Sequence, residues 1–244
     1  MDGLHSTPSC AIRCAHFIAQ AGTPFRPPLS LSRGNMIIII GGTMRSGKTL
    51  LSKRLADKLN FSHIPTDHLI LAIQKALPNT GIGQRGLSYD ELCNRFKPVL
   101  IALLDSLESE KECHFVVDGY YIRPEDILEK EGSLKAYFLG YPDITPYEKV
   151  SLMRRYGKTQ PCYTNKMNES RVFRYAEEWI HDSKKLLLAC CEYDKEFINV
   201  SYNFDERITF GAERVNTYVR KSQCKTSNNQ RNADSCAVAP PPVR

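Results

Sequence analysis

The chain has 244 residues, the length of one large domain or two small ones, and its 42% apolar content is ordinary for a protein with a folded core. The formal net charge is +6, but residues 1–35 carry +2 and residues 221–244 carry +3, so only +1 remains for the middle of the chain. A nearly neutral folded part argues against a general nucleic-acid-binding surface. No apolar run approaches the roughly 18 residues of a membrane span.

The two ends of the chain differ in composition from the middle. Residues 1–35 show no sustained helical or alternating pattern and are predicted to be a flexible extension, with a weak targeting segment or an upstream start as alternatives. Residues 221–244 are rich in Ser, Asn, Gln and Lys and are predicted to be a disordered tail. The folded domain is therefore predicted to span residues 36–220. Nine cysteines without the spacing of a disulfide framework predict a reducing, cytoplasmic compartment.

Between these ends, strand-like runs alternate with helical patterns, which is typical of a parallel sheet covered by helices on both faces. The five predicted strands are Met36–Ile40, Phe61–Ile64, Cys113–Val117, Leu134–Leu139 and Phe197–Val200. Helices are predicted over 48–60, 68–76 and 88–109. Three more are predicted: one that opens at 145, one that runs through 175–187, and a final one that opens at 203. Ligands in such sheets bind at the carboxyl ends of the strands, which selects four candidate positions. These are Asp67, Asp118, Asp143 and the segment Ser201–Phe204.

A glycine-rich stretch follows the first strand directly and opens onto the first helix. It matches the pattern G-x-x-x-x-G-K-[ST], in which glycines let backbone N–H groups surround a phosphate at the positive end of a helix. Lys48 adds a charge at the outer phosphates, and the Thr49 hydroxyl is placed to bind Mg²⁺. The alternative is a turn that binds nothing. The predicted nucleotide-binding residues are Gly42, Thr43, Met44, Arg45, Ser46, Gly47, Lys48, Thr49 and Leu50.

The loop predicts a nucleoside triphosphate site, and the motifs around it favour one class of enzyme over two others. A GTPase needs D-x-x-G after its third strand, whereas residues 118–121 read Asp-Gly-Tyr-Tyr. It also needs N-K-x-D, whereas residues 165–168 end in Asn and follow no strand. A motor or remodelling ATPase normally carries an acidic pair after the third strand, where this chain has Asp118 alone.

A small-molecule kinase fits better, and here the sequence resembles a known family. The loop, with Thr66-Asp67 after the second strand and Asp67 nineteen positions beyond Lys48, resembles the shikimate, gluconate and nucleoside kinase group. The resemblance covers about residues 36–220. It implies an α/β class P-loop NTPase three-layer fold, with a five-stranded, mainly parallel sheet and an Arg-bearing lid segment at about 154–174. It also implies ATP and Mg²⁺ as cofactors.

The resemblance implies roles for the carboxylates beside the loop. Asp67 matches the family's residue that orients or deprotonates the acceptor hydroxyl, although it could instead cap the helix at His68. Several of these families have Asp-x-Asp here, but the first position is Pro65 in this chain. Metal support is therefore expected from Asp118 together with Thr49, unless Asp118 only caps the following turn.

Arginines of the lid and residues of the acceptor pocket are implied in the same way. The predicted catalytic residues are Lys48, Asp67, Arg154, Arg155, Arg171 and Arg174. The alternative without a catalytic role is that these arginines are favourable charges at a helix end or on a solvated helix face. Candidates to read the acceptor are Arg85, Tyr89, Tyr120, Tyr121 and Arg123, and Phe204 is expected either beside the base or in the core.

The sequence thus predicts an ATP- and Mg²⁺-dependent phosphotransferase acting on a hydroxyl or phosphate of a small metabolite. No nucleic-acid or membrane partner is expected, and the acceptor and the oligomeric state are left open. The rival hypothesis is a nucleotide-binding regulatory or switch ATPase that has no small-molecule acceptor.

Overall fold

The computed structural model describes residues 35–110, 113–130, 132, 134–157 and 167–236, with side chains described as far as Ser222. The strands are β1 Met36–Gly42, β2 Ser62–Pro65, β3 His114–Asp118, β4 Leu134–Gly140 and β5 Glu196–Asn199. The helices are α1 Lys48–Leu59, α2 Thr66–Ala76, α3 Tyr89–Ser109, α4 Pro146–Gly157, α5 Glu169–Glu192 and α6 Phe204–Cys236. Residues 1–34 of the predicted extension and 158–166 of the predicted lid lie outside the described residues.

The strands form one sheet in the order β2-β3-β1-β4-β5, and each neighbouring pair is parallel. Ile40, two residues before the end of β1, and Pro65, at the end of β2, both lie opposite Asp118 at the end of β3. The carboxyl ends of these three strands therefore share one edge. This arrangement confirms the predicted α/β class with a five-stranded parallel sheet.

The central strand β1 shows why the fold has three layers. Side chains alternate between the faces of a strand, so Ile37 and Ile39 enter one hydrophobic cluster while Ile38 and Ile40 enter another. The first cluster includes apolar residues of α3, and the second includes those of α1 and α6. All four isoleucines are completely buried, which holds β1 between two helical layers.

Two helix starts are set by capping boxes that the sequence shows. Ser88 Oγ accepts from the Glu91 backbone N–H, and Glu91 Oε2 accepts from the Ser88 backbone N–H. Thr145 and Glu148 make the same reciprocal pair before α4. Each box satisfies N–H groups that a helix start leaves without an intrahelical partner, so both predicted starts are confirmed.

The last helix extends past the predicted end of the folded domain. The predicted boundary falls at residue 220, whereas α6 continues to Cys236, so the backbone is helical over part of the segment predicted to be disordered. Extending an existing helix adds one hydrogen bond per residue without the penalty of starting a new one. In the described part of the chain, none of the helices is both long and apolar enough to cross a membrane.

Candidate active site

The loop between β1 and α1 has a backbone that only glycine tolerates at two points. Gly42 has φ 141°, and a Cβ there would overlap the Leu139 carbonyl oxygen. Gly47 has φ 92°, and a Cβ there would lie 2.7 Å from Phe204 Cζ. Side chains rarely adopt such φ values, so both glycines are needed for the bend and for the close approach of neighbouring elements. Phe204 packs against the loop from α6.

The amino end of α1 is built to receive an anion. Gly47 is its N-cap, makes no side-chain cap hydrogen bond, and is followed by a first turn without an acidic residue. The Ser46 hydroxyl oxygen is buried and has no hydrogen-bond partner among the described residues. The first-turn N–H groups of a helix have no intrahelical partner and carry the positive end of the helix dipole. A phosphate would supply the missing acceptor for these groups.

Lys48 is held inside this cradle. It is 7% exposed, and its Nζ donates to the Thr43 carbonyl at 2.8 Å. Burial lowers the pKa of the Lys48 ammonium to about 8, assisted by the charge of Arg45, while Asp67 and Asp118 act to raise it. Loss of solvation disfavours the charged form, so an anionic ligand in the cradle would favour the protonated lysine.

A hydrogen-bonded chain joins α1, β3 and β2 beside the cradle. The Thr49 hydroxyl donates to Asp118 Oδ2 at 2.8 Å, and His63 Nε2 lies 2.8 Å from Asp118 Oδ1. Asp118 is 3% exposed, and each of its two carboxylate oxygens has a hydrogen-bond partner in the protein. Asp118 therefore has partners across the sheet edge and does more than cap the turn before Tyr120.

The Thr49–Asp118 pair suits Mg²⁺ by its chemistry. One carboxylate and one hydroxyl provide oxygen ligands, and Mg²⁺ usually takes one or two carboxylates together with waters and substrate phosphates. Among the described residues, no group of three His, Cys, Asp or Glu side chains could hold a metal alone. These residues thus fit a metal that arrives with a phosphate-bearing ligand.

Asp67 lies in the first turn of α2 and is exposed. It is close enough to influence the pKa values of Lys48 and Tyr121. The alternative in which Asp67 caps the helix is wrong, because α2 begins at Thr66 and its N-cap is Pro65, without a side-chain cap hydrogen bond. The carboxylate is therefore available at the mouth of the cradle.

Among the described residues, the contacts of the four predicted lid arginines lie on the arginine-bearing helices themselves. Arg154 pairs with Glu169 at 2.8 Å, and Arg174 lies 3.7 Å from Glu178. Arg171 donates to the Tyr175 hydroxyl at 3.2 Å, and the Arg155 guanidinium lies 5.7 Å from the centre of its neighbour's ring, Tyr156. These contacts stay on α4 and α5, so a catalytic role for the arginines remains a prediction.

Three tyrosines form an aromatic cluster on the β3 side. The ring centres of Tyr89 and Tyr120 are 4.8 Å apart, and those of Tyr120 and Tyr121 are 5.0 Å apart. Arg123 instead forms a two-pronged hydrogen-bonded pair with the buried Asp126 carboxylate, both distances being 2.8 Å. Arg123 therefore holds the segment after β3 in place, and a role in reading the acceptor has no support from its contacts.

Sequence reasoning missed three residues that contact the site. His63 lies on β2, and its pairing with Asp118 depends on strand order, which the sequence does not reveal. Ser183 on α5 hydrogen-bonds Thr43 Oγ1 at 2.9 Å. Lys149 on α4 donates to the Arg45 carbonyl at 2.8 Å. A signal for Lys149 did exist, since it lies four residues before the buried Met153 and so shares the apolar face of α4.

Comparison with known proteins bears on the fold. No protein-family model and no curated protein matches this sequence. Shikimate kinase from Bacteroides thetaiotaomicron superimposes with a TM-score of 0.50 at 17% identity, over 76% of this chain and 98% of that one. The chain therefore shares the fold of this shikimate kinase. The resemblance predicted from the loop and Asp67 is confirmed at this level.

Two further solved structures are similar at lower TM-scores. A gluconokinase from Sinorhizobium meliloti 1021 matches with a TM-score of 0.44 at 20% identity, over 78% of this chain and 99% of that one. Shikimate kinase from Acinetobacter baumannii, in complex with shikimate, matches with 0.45 at 16% identity, over 78% of this chain and 95% of that one. At TM-scores below 0.5 neither likeness bears on the fold or on activity, and activity is argued from the site.

Proposed function

We propose that the protein is an ATP- and Mg²⁺-dependent phosphotransferase that moves the γ-phosphate to a hydroxyl or phosphate of a small metabolite. One observation carries the proposal. An uncapped helix start, a buried lysine and a hydrogen-bonded Thr49–Asp118 pair converge at the end of β1. Such a site is built for the charge of a phosphate chain.

The loop residues 42–50 would bind the phosphates. The backbone N–H groups of the first turn of α1 and the Ser46 hydroxyl would donate to phosphate oxygens, and the Lys48 ammonium would contact the outer phosphates. Ligand charge would compensate the burial of Lys48, since a buried ammonium without an anionic partner is unfavourable. Protein groups that already hold their positions do not need to reorganise during transfer.

The metal has a defined place in this proposal. Thr49 and Asp118 would hold Mg²⁺, and His63 would hold Asp118 through its second oxygen. Bound there, the ion would neutralise charge that develops on the phosphates during transfer.

Asp67 is proposed as the base. Its carboxylate would accept the proton of an acceptor hydroxyl while the acceptor oxygen bonds to the γ-phosphorus and the bond from that phosphorus to the bridging oxygen of ADP breaks. An acceptor that presents a phosphate oxygen needs no such proton transfer. One or more of Arg154, Arg155, Arg171 and Arg174 would contribute positive charge to the transferring group.

An acceptor screen tests the function. Purified protein with Mg·ATP would be incubated with nucleosides, nucleoside monophosphates, sugars and phosphoglycerates, and ADP formation measured with and without each acceptor. The proposal predicts little ADP without acceptor and a large increase with at least one acceptor class. Steady ADP formation that no acceptor changes would instead support the regulatory ATPase.

Asp67→Asn separates binding from transfer. The amide cannot take a proton, so transfer to the accepted hydroxyl should fall by roughly 10²-fold or more, while Mg·ATP affinity stays unchanged. Asp57→Asn is the matched control, because Asp57 is an exposed carboxylate on α1. Equal rates in the Asp67 and Asp57 variants would remove Asp67 from the mechanism.

A further inference from the structure

The phosphate loop contains a turn in an unfavourable conformation. The Ser46 N–H donates to the Thr43 carbonyl at 3.3 Å, which closes a four-residue turn with Met44 and Arg45 at its centre. Arg45 has φ 60°, in the left-handed region that suits Gly or Asn at this turn position. A residue with a Cβ keeps such a conformation only when its surroundings impose it.

Two side chains outside the loop hydrogen-bond the carbonyls at the centre of this turn. The Tyr141 hydroxyl donates to the Met44 carbonyl, and Lys149 Nζ donates to the Arg45 carbonyl at 2.8 Å. Tyr141 follows β4, and Lys149 lies on α4. Lys149 Nζ is also 3.4 Å from the centre of the Tyr141 ring. We refer to Tyr141 and Lys149 together as the loop clamp.

The clamp determines where backbone donors of the loop point. In a planar trans peptide group the C=O and the following N–H face opposite ways. Holding the Met44 carbonyl toward β4 therefore turns the Arg45 N–H to the other side of the turn, whereas the Ser46 N–H stays within the turn on the Thr43 carbonyl. The Arg45 N–H belongs to the segment proposed to surround the phosphates.

Lys149 also brings charge that the described residues do not balance with a carboxylate. It is 4% exposed, and no carboxylate of the described residues forms an ion pair with it. Burial, and then the charges of Arg45 and Lys48, hold the pKa of Lys149 well below the ordinary lysine value. Three cations therefore meet at one loop, two of them buried. A buried ammonium is costly unless an anion compensates it.

We propose that Lys149, seated on Tyr141, is a positioning residue of the nucleotide site that fixes the bend of the phosphate loop and adds a third positive charge behind a bound polyphosphate chain. The inference rests on the proposed function and adds to it that α4 takes part in phosphate binding. It also implies that the site selects ligands by the charge of their phosphate chain.

A purely structural role for Lys149 makes the opposite prediction for stability. Methionine has a similar length and no charge, so Lys149→Met would fill the space without a buried ammonium. If Lys149 serves the ligand, the thermal midpoint of the ligand-free variant should equal or exceed that of the wild type. If Lys149 serves only the fold, the midpoint should fall.

The test measures affinity for Mg·ATP and for inorganic triphosphate by calorimetry, together with the thermal midpoint. Lys149→Met should bind both ligands about 10-fold more weakly, a loss of the order expected when one positive charge near the phosphates is removed. Lys149→Arg, which keeps the donor and the charge, should recover part of the loss. Tyr141→Phe should give a smaller loss, because it removes the hydroxyl and keeps the ring. Lys53→Met, at an exposed lysine of α1, should behave as the wild type.

The outcomes distinguish the inference from the function on which it rests. Wild-type affinity in Lys149→Met, a loss for Mg·ATP without a loss for triphosphate, or a lowered midpoint in both Lys149→Met and Lys149→Arg would overturn the role of Lys149 while leaving the phosphotransferase proposal intact. Failure of the wild type to bind either ligand would overturn both.

Discussion

Positive charges are buried at the phosphate loop and exposed on the arginine-bearing helices α4 and α5. Lys48 and Lys149 are 7% and 4% exposed and donate to loop carbonyls. The Arg154 side chain is 61% exposed and pairs with Glu169, whose side chain is 73% exposed. Burying a charge disfavours the folded protein, whereas an exposed ion pair changes its stability little. The loop thus keeps its cations in fixed positions at a cost, while the arginines remain solvated.

A substitution that distorts the loop backbone should have the largest effect on the free energy of unfolding. Gly42→Ala places a Cβ on the Leu139 carbonyl at a φ of 141°. We expect the free energy of unfolding to fall by about 3 kcal/mol or more, measured by urea denaturation. Gly86→Ala is the matched control, because its φ of 90° is also positive but a Cβ there meets nothing within 4 Å. It should cost about 1 kcal/mol. Equal losses in the two variants would mean that the loop backbone is not tightly enclosed.

The carboxylate at the end of β3 provides the next test. Asp118→Asn removes the charge proposed to hold Mg²⁺, so the Mg²⁺ concentration needed for half-maximal transfer should rise by about 10-fold or more. Asp143→Asn is the control, since Asp143 also follows a strand but hydrogen-bonds Asn199. An unchanged magnesium dependence in Asp118→Asn would contradict the assigned metal ligand.

The pH dependence of stability should separate buried from exposed cations. Because the pKa of Lys149 is lowered in the folded protein, its burial penalty is greatest at lower pH and disappears as pH rises through the unfolded value near 10.4. The charged and titratable groups that face it are Arg45, Lys48 and Tyr141. We therefore expect Lys149→Met to raise the thermal midpoint more at pH 7 than at pH 10.

Lys53→Met controls for the general effect of losing a lysine, because Lys53 is exposed. Its midpoint difference from the wild type should stay nearly constant over the same pH range. If the difference for Lys149→Met is equally constant, the Lys149 ammonium is not desolvated in the folded protein.

The smallest stability effect should come from the arginine-bearing helices. Arg154→Gln removes an exposed ion pair with Glu169 and should change the free energy of unfolding by less than about 0.5 kcal/mol. A large fall in transfer rate without a loss of stability would support the proposed catalytic role of Arg154. Unchanged transfer would leave Arg154 as a surface residue.

Much of the fold could be predicted because its signals are local. The alternation at β1, the capping boxes before α3 and α4, and the glycine pattern each depend on residues close in sequence. The start of α2 was misplaced by two residues because the chain passes from β2 into the helix at Pro65 without a capping side chain. The continuation of α6 past residue 220 was not predicted, because composition does not reveal how far a helix continues beyond its packed first part.

Residues of the candidate site could be named from the sequence where a motif is contiguous, and could not be named where their contacts depend on strand order. Lys48, Thr49 and Asp118 follow from the loop pattern and from a strand end. His63 reaches Asp118 only because β2 lies next to β3. Lys149 reaches Arg45, 104 positions earlier in the chain, only because β4 and α4 pack beside β1. Contacts of this kind depend on strand order, which a single sequence leaves undetermined.

The phosphate site at the end of β1 can be tested by calorimetry of Mg·ATP binding to the wild type and to Lys48→Ala. We predict one site per chain in the wild type and roughly 10- to 100-fold weaker binding in Lys48→Ala. Lys53→Ala, at an exposed position on the same helix, should bind as the wild type does. No binding by the folded wild type, or equal affinity in Lys48→Ala, would contradict a phosphate site at the end of β1.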